Sequence, residues 1–140
     1  MEKMHGIFGW NELMTSDVDA AKEFYSNVIG WTSHDVQMGD PSSPAKEGEP
    51  SYTLWTVGDK QVGGAMKLDG PGMENIPPHW MSYVNVDDID KVAEKVVAHG
   101  GKIMVGPMDV ESIGRFYIIA DPQGAVLGLG SSTMTDGSQN

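Results

Sequence analysis

Residues 10–31 are WNELMTSDVDAAKEFYSNVIGW and residues 80–101 are WMSYVNVDDIDKVAEKVVAHGG. The likeness between these two stretches decides the fold. Trp10 and Trp80, Asp17 and Asp87, and Gly30 and Gly100 each stand seventy positions apart. The order of elements repeats with them: an alternating run, an acidic residue, an amphipathic stretch and a glycine. Self-similarity at a fixed offset marks a duplicated structural unit.

In the first stretch Ser16 or Asp17 is placed to cap a helix, since a side-chain oxygen there can accept from the unpaired N–H groups of the first turn. Ala21, Phe24, Tyr25 and Val28 recur at helical spacing, and Gly30 supplies the stop. In the second, Asp87 or Asp88 caps a helix with Ile89, Val92, Ala93, Val96 and Val97 on one stripe, ended by Gly100 and Gly101. Each helix is expected to bury one face.

Outward from the helices, runs rich in β-branched and aromatic residues predict strands at WTSHDVQ, SYTLWTV and QVGGAMKL in the first half. KIMVGPMDV, RFYIIA and AVLGLG are their counterparts in the second. Asp59 and Lys60 fall where a tight hairpin turns, and Asp121-Pro122-Gln123-Gly124 forms a turn with glycine at the permissive position. Residues 38–50 and 69–79 are polar and proline-rich and are expected to be loops. The expectation is a single domain over 1–140, with module one at about 5–69, module two at about 78–131, and a frayed tail at 132–140.

Composition narrows the function. A chain of 140 residues can bury a core of its own. It has no cysteine, so disulfides and thiolate chemistry are excluded and a transition metal would need His, Asp or Glu. Twenty acidic residues against nine basic ones give a net charge of −11, with Arg115 the only arginine. That balance repels phosphate backbones, so nucleic acid is not an expected partner. No apolar run approaches the roughly 18 residues of a membrane span, and residues 1–10, MEKMHGIFGW, lack the long apolar stretch expected of a secretory signal. A cytoplasmic protein without a membrane partner is expected.

The segments SDVDAAKEFYSNVIGW, VDDIDKVAEKVVAHGGK and GRFYIIADPQGAVLGL resemble the vicinal oxygen chelate superfamily, the glyoxalase/bleomycin-resistance/extradiol-dioxygenase group. The resemblance implies an α+β fold. Two tandem β-α-β-β-β modules would form a curved, mostly antiparallel eight-stranded half-barrel around a cavity, and a homodimer is expected on the same ground. Active members of such a family hold a divalent metal near the start of each module's first strand and in its last strand. The matching positions here are Trp10, about Met81, Gly128 and the run Val62 to Met66, none of which supplies a nitrogen or carboxylate ligand. No metal and no cofactor are therefore expected. A shift of one or two residues would bring Glu12 or His79 toward the site, and a shift of one turns a strand side chain to the other face.

Strand alternation then sorts the cavity wall. If Leu13, Val84 and Val86 pack under the helices, Trp10, Glu12, Met14, Met81, Tyr83 and Asn85 face the cavity. Trp55 and either Arg115 with Tyr117, or Phe116 with Ile118, complete it. The expected ligand-binding set is Trp10, Glu12, Trp55, Met81, Tyr83, Asn85, Arg115 and Tyr117. The tryptophans serve equally as core, and Arg115 could clamp a ligand carboxylate or make a surface ion pair. Glu12 is the catalytic candidate, because a carboxylate among apolar neighbours is costly unless paired or used. The four histidines show no metal spacing.

Three functions fit this reading. One is a protein that binds a small organic molecule in an aromatic and Met-lined cavity without a catalytic metal. Another is a lyase, isomerase or dioxygenase-like enzyme using Glu12 or an atypical metal site. The last is a partner-binding module with a vestigial cavity.

Overall fold

The computed structural model of the chain describes residues 5–37, 40–44, 51–68, 75–110 and 114–131. The expected tail at 132–140 and parts of both expected loops lie outside them. Contacts divide the chain into two units, Asn11–Trp80, and Met81–Asn140 with Met1–Trp10.

The unit Asn11–Trp80 takes the later part of β1 (Ile7–Thr15), then α1 (Val18–Val28), β2 (Thr32–Gln37), β3 (Asp40–Pro44), β4 (Ser51–Val57) and β5 (Lys60–Lys67). Its strands lie in the order β3-β2-β4-β5-β1. β1 and β5 run parallel and the other neighbours antiparallel. Residues 40–44, expected to be loop, instead form β3 against β2. An edge strand tolerates the prolines that argued against it.

Asp17 caps α1, its carboxylate accepting from the Ala20 N–H at 3.0 Å. At the other end Ile29 and Gly30 both donate to the Tyr25 carbonyl. Leu13, Trp55 and Ala65 form the core of this unit, with Ala21, Tyr25 and Trp31 packed on it. The expected α1 stripe is thus narrower than its sequence spacing: Phe24 and Val28 are exposed.

The second unit contains β6 (His79–Val86) from Met81 onward, α2 (Ile89–Ala98), β7 (Lys102–Val110), β8 (Gly114–Ala120) and β9 (Val126–Ser131). The order is β6-β9-β8-β7, again with the first and last strands parallel and the rest antiparallel. Val86, Ile89, Ala93, Tyr117, Ile119 and Leu129 make its core. Asp88 stands at the N-cap of α2 but in the left-handed region, φ 50, and its side chain makes no capping bond. The expected acidic cap is there in place only. Asp121 fastens the turn before β9 by accepting from the N–H groups of Gln123 and Ala125, and Gly124 adopts φ 95.

The class is α+β with mostly antiparallel strands and one helix per unit. Among the described residues the strands number nine rather than the expected eight, β3 being the addition. No helix among them is long and apolar enough to cross a membrane.

Candidate functional site

Helix packing fixes which way each strand faces. In the unit Asn11–Trp80, Leu13, Trp55 and Ala65 turn toward α1. Alternation sends Glu12, Met14, Leu54 and Gly64 to the opposite face. Glu12 pairs with Gly64, Leu54 pairs with the same glycine, and Val36 pairs with Tyr52. On this face Glu12 is 7% exposed, Met14 6%, Leu54 3% and Val36 3%. Such burial would penalise a carboxylate left without hydrogen bonds. The Tyr52 hydroxyl donates to Glu12 Oε1 at 2.9 Å.

Gly64 makes that bond possible. Tyr52 stands on β4, Glu12 on β1, and β5 runs between them. A Cβ built on Gly64 would fall within the Tyr52 ring, so the bare backbone lets the ring cross β5. Tyr52 was not among the expected site residues. Its spacing of two from Leu54 and the Gly63-Gly64 pair on the next strand were the available signals.

In the other unit, Val84, Val86, Leu127 and Leu129 turn toward α2. Met81, Tyr83, Asn85 and Gly128 therefore face away from it. All three side chains are buried, Asn85 at 3% exposure. Tyr83 pairs with Gly128, fills the space where its Cβ would stand, and meets the Phe116 ring at 6.0 Å. Asn85 fills the equivalent space at Gly9.

The structure resolves the orientation of β8. Tyr117 lies in the α2 core, and its hydroxyl donates to Asp90 Oδ1 at 2.6 Å. Arg115 donates to Asp109 through Nε and Nη2 and to both Asp90 oxygens through Nη1, at 2.7–3.0 Å. Hydrogen bonds from Tyr117 and then Arg115 hold the Asp90 carboxyl below its ordinary range, and Arg115 does the same to Asp109. The bond to Asp90 raises the Tyr117 phenol. Phe116 and Ile118 accordingly share the face of Tyr83.

Of the expected set, Glu12 lies on the helix-free face of its unit, and Met81, Tyr83 and Asn85 lie on that of theirs. Trp55, Arg115 and Tyr117 lie on helix-packed sides. Trp55 is fully buried, with Nε1 donating to the Gly64 carbonyl at 3.0 Å. Trp10 is half-buried on β1.

Among the described residues, the positions that the family resemblance marks for metal ligands supply no nitrogen or carboxylate donor. Trp10, Met81 and Gly128 offer no ligand, and the room a side chain would need at Gly128 or Gly64 is taken by Tyr83 or Tyr52. No group of three His, Cys, Asp or Glu side chains among the described residues is placed to hold a metal ion. His79 Nδ1 lies 2.9 Å from the Pro77 carbonyl.

The sequence matches the Glyoxalase/Bleomycin resistance protein/Dioxygenase superfamily over residues 7–129, and the chain belongs to that family. It is 37% identical over 124 residues to "Putative glyoxylase CFP32" of Mycobacterium tuberculosis, covering 89% of this chain and 43% of that protein. It is 30% identical over 145 residues to the anthracycline biosynthesis protein DnrV of Streptomyces peucetius, covering 96% of this chain and 50% of DnrV. The chain thus spans about half the length of these relatives. In fold it is similar to methylmalonyl-CoA epimerase from Mycobacterium tuberculosis, with a TM-score of 0.58 at 17% identity, covering 94% of this chain and 91% of the epimerase.

Proposed function

We propose that the chain binds a small organic molecule on the strand face that carries Glu12 and Tyr52, without the metal its family usually employs. The observation that carries this reading is a carboxylate buried at 7% exposure, bonded by a phenol, on a face that no helix of its unit covers. Met14, Leu54 and Val36 give that face the apolar surface a small-molecule site needs. Kinship with proteins named for glyoxylase activity and anthracycline biosynthesis favours a small molecule over a protein partner.

The test is a thermal-shift panel of metabolites on protein dialysed against EDTA. A ligand at a hundred times its Kd adds about 2.7 kcal/mol, a rise of roughly 10 °C for a chain of this size. Glu12→Gln, with a Kd about tenfold weaker, should cut the rise by about half or more. A panel without a single hit would contradict the reading.

A second reading, proton transfer to or from the bound molecule, is favoured by the same Tyr52–Glu12 hydrogen bond. It predicts that a hit is chemically converted by the wild type and bound unchanged by the Tyr52→Phe variant.

A further inference from the structure

We infer that the Glu12 face takes an uncharged or cationic organic ligand with an N–H or O–H donor, and rejects polyanions such as coenzyme A thioesters. This rests on the binding reading above and specifies its chemistry. The charge of a polyphosphate is most often met by arginine, lysine or an open helix N-terminus. The chain has one arginine, and both edges of its guanidinium are engaged by Asp90 and Asp109 on the α2 side.

Lys22 belongs to α1 and pairs with Asp35 at 3.0 Å, and Lys67 follows Met66 on β5 and so points to the α1 side. Among the described residues of β1, β2, β4 and β5 that face away from α1, Glu12 is the carboxyl group and His34, exposed and paired with Leu54, the imidazole, and no lysine or arginine shares that face. The helix start of this unit is taken as well: Asp17 caps α1 and Asp19 lies in its first turn. A net charge of −11 adds long-range repulsion of anions. The fold likeness to methylmalonyl-CoA epimerase therefore does not extend to the charge of the ligand.

The experiment titrates the full chain in physiological salt with two probes, proflavine (a planar cationic diamine) and propionyl-CoA. Proflavine should bind saturably with one-to-one stoichiometry. Glu12→Gln should weaken it by about tenfold or more, the loss expected for a hydrogen bond to a charged group. Glu94→Gln makes the same charge change at an exposed position on α2 and should leave binding within about twofold. Propionyl-CoA should show no saturable binding. Saturable propionyl-CoA binding, or equal losses in the two variants, would overturn the inference. So would metabolite hits on the thermal-shift panel alongside failure of proflavine, although the face would then stand as a binding surface. A panel with no hits removes the binding reading itself.

Discussion

The phenol of Tyr52 crosses the bare backbone of Gly64 and places its hydroxyl 2.9 Å from Oε1 of Glu12, joining β4 to β1 over β5. Tyr83 covers Gly128 in the other unit and meets the Phe116 ring there. In each unit a tyrosine ring thus lies over a bare glycine of a neighbouring strand.

Gly64→Ala should destabilise by about 1–3 kcal/mol, because the new Cβ meets the Tyr52 ring. In a Tyr52→Ala background the same change should cost little. Tyr52→Phe keeps the ring and removes the donor, at about 1.5–3 kcal/mol for a hydrogen bond to a charged group. Urea denaturation of the four proteins of the Gly64/Tyr52 cycle checks the coupling; additive losses would show that the ring does not depend on the glycine.

Trp55→Ala should cost about 3–5 kcal/mol, since it empties a fully buried site and removes the hydrogen bond to the Gly64 carbonyl. Trp80→Ala should cost less, because that ring is 42% exposed and meets Tyr25 and Trp31 from outside the buried core. Denaturant midpoints of the two variants measure the difference.

The two helix starts should respond oppositely. Asp17→Ala removes a real cap and should cost about 0.5–2 kcal/mol. Asp88→Gly relieves a left-handed backbone and forfeits no capping bond, so it should be neutral or stabilising by up to about 1 kcal/mol. Thermal denaturation of each variant against wild type gives the sign.

Acid should release the clasp around Arg115. Asp90 and Asp109 both titrate below their ordinary range in the folded chain. Groups depressed on folding stabilise fully above the unfolded carboxyl value of about 3.9. That contribution disappears as pH falls through the lower folded values. Asp35 behaves alike: burial raises its carboxyl, but hydrogen bonds from Thr53 and Lys22 outweigh that. Arg115→Gln should therefore lower Tm at pH 6 and make its decline between pH 5 and 3 shallower than in wild type. An unchanged slope would mean the clasp adds nothing to acid stability.

The duplication was legible because it rests on helix periodicity, caps and glycine stops, which are local signals. The facings of β1, β6 and β9 followed from Leu13, Val84, Val86, Leu127 and Leu129, whose apolar alternation matches the helix they cover. β8 was ambiguous for a physical reason: Tyr117 and Ile119 on one side and Phe116 and Ile118 on the other are equally apolar. β4 was harder still, since residues 53–56 are buried in succession and show no alternation. The Tyr52 ring over Gly64 joins three strands on a diagonal, and no local pattern encodes it.

Methyl-13C-methionine NMR on EDTA-treated protein, titrated with a hit from the metabolite panel, follows the face itself. Met14 is buried there at 6% exposure beside Glu12. Its methyl resonance should move saturably without added metal, and Glu12→Gln should suppress the movement. Perturbation confined to Met104, 54% exposed on β7, or binding that appears only when a divalent ion is added, would contradict a metal-free ligand site built on Glu12 and Tyr52.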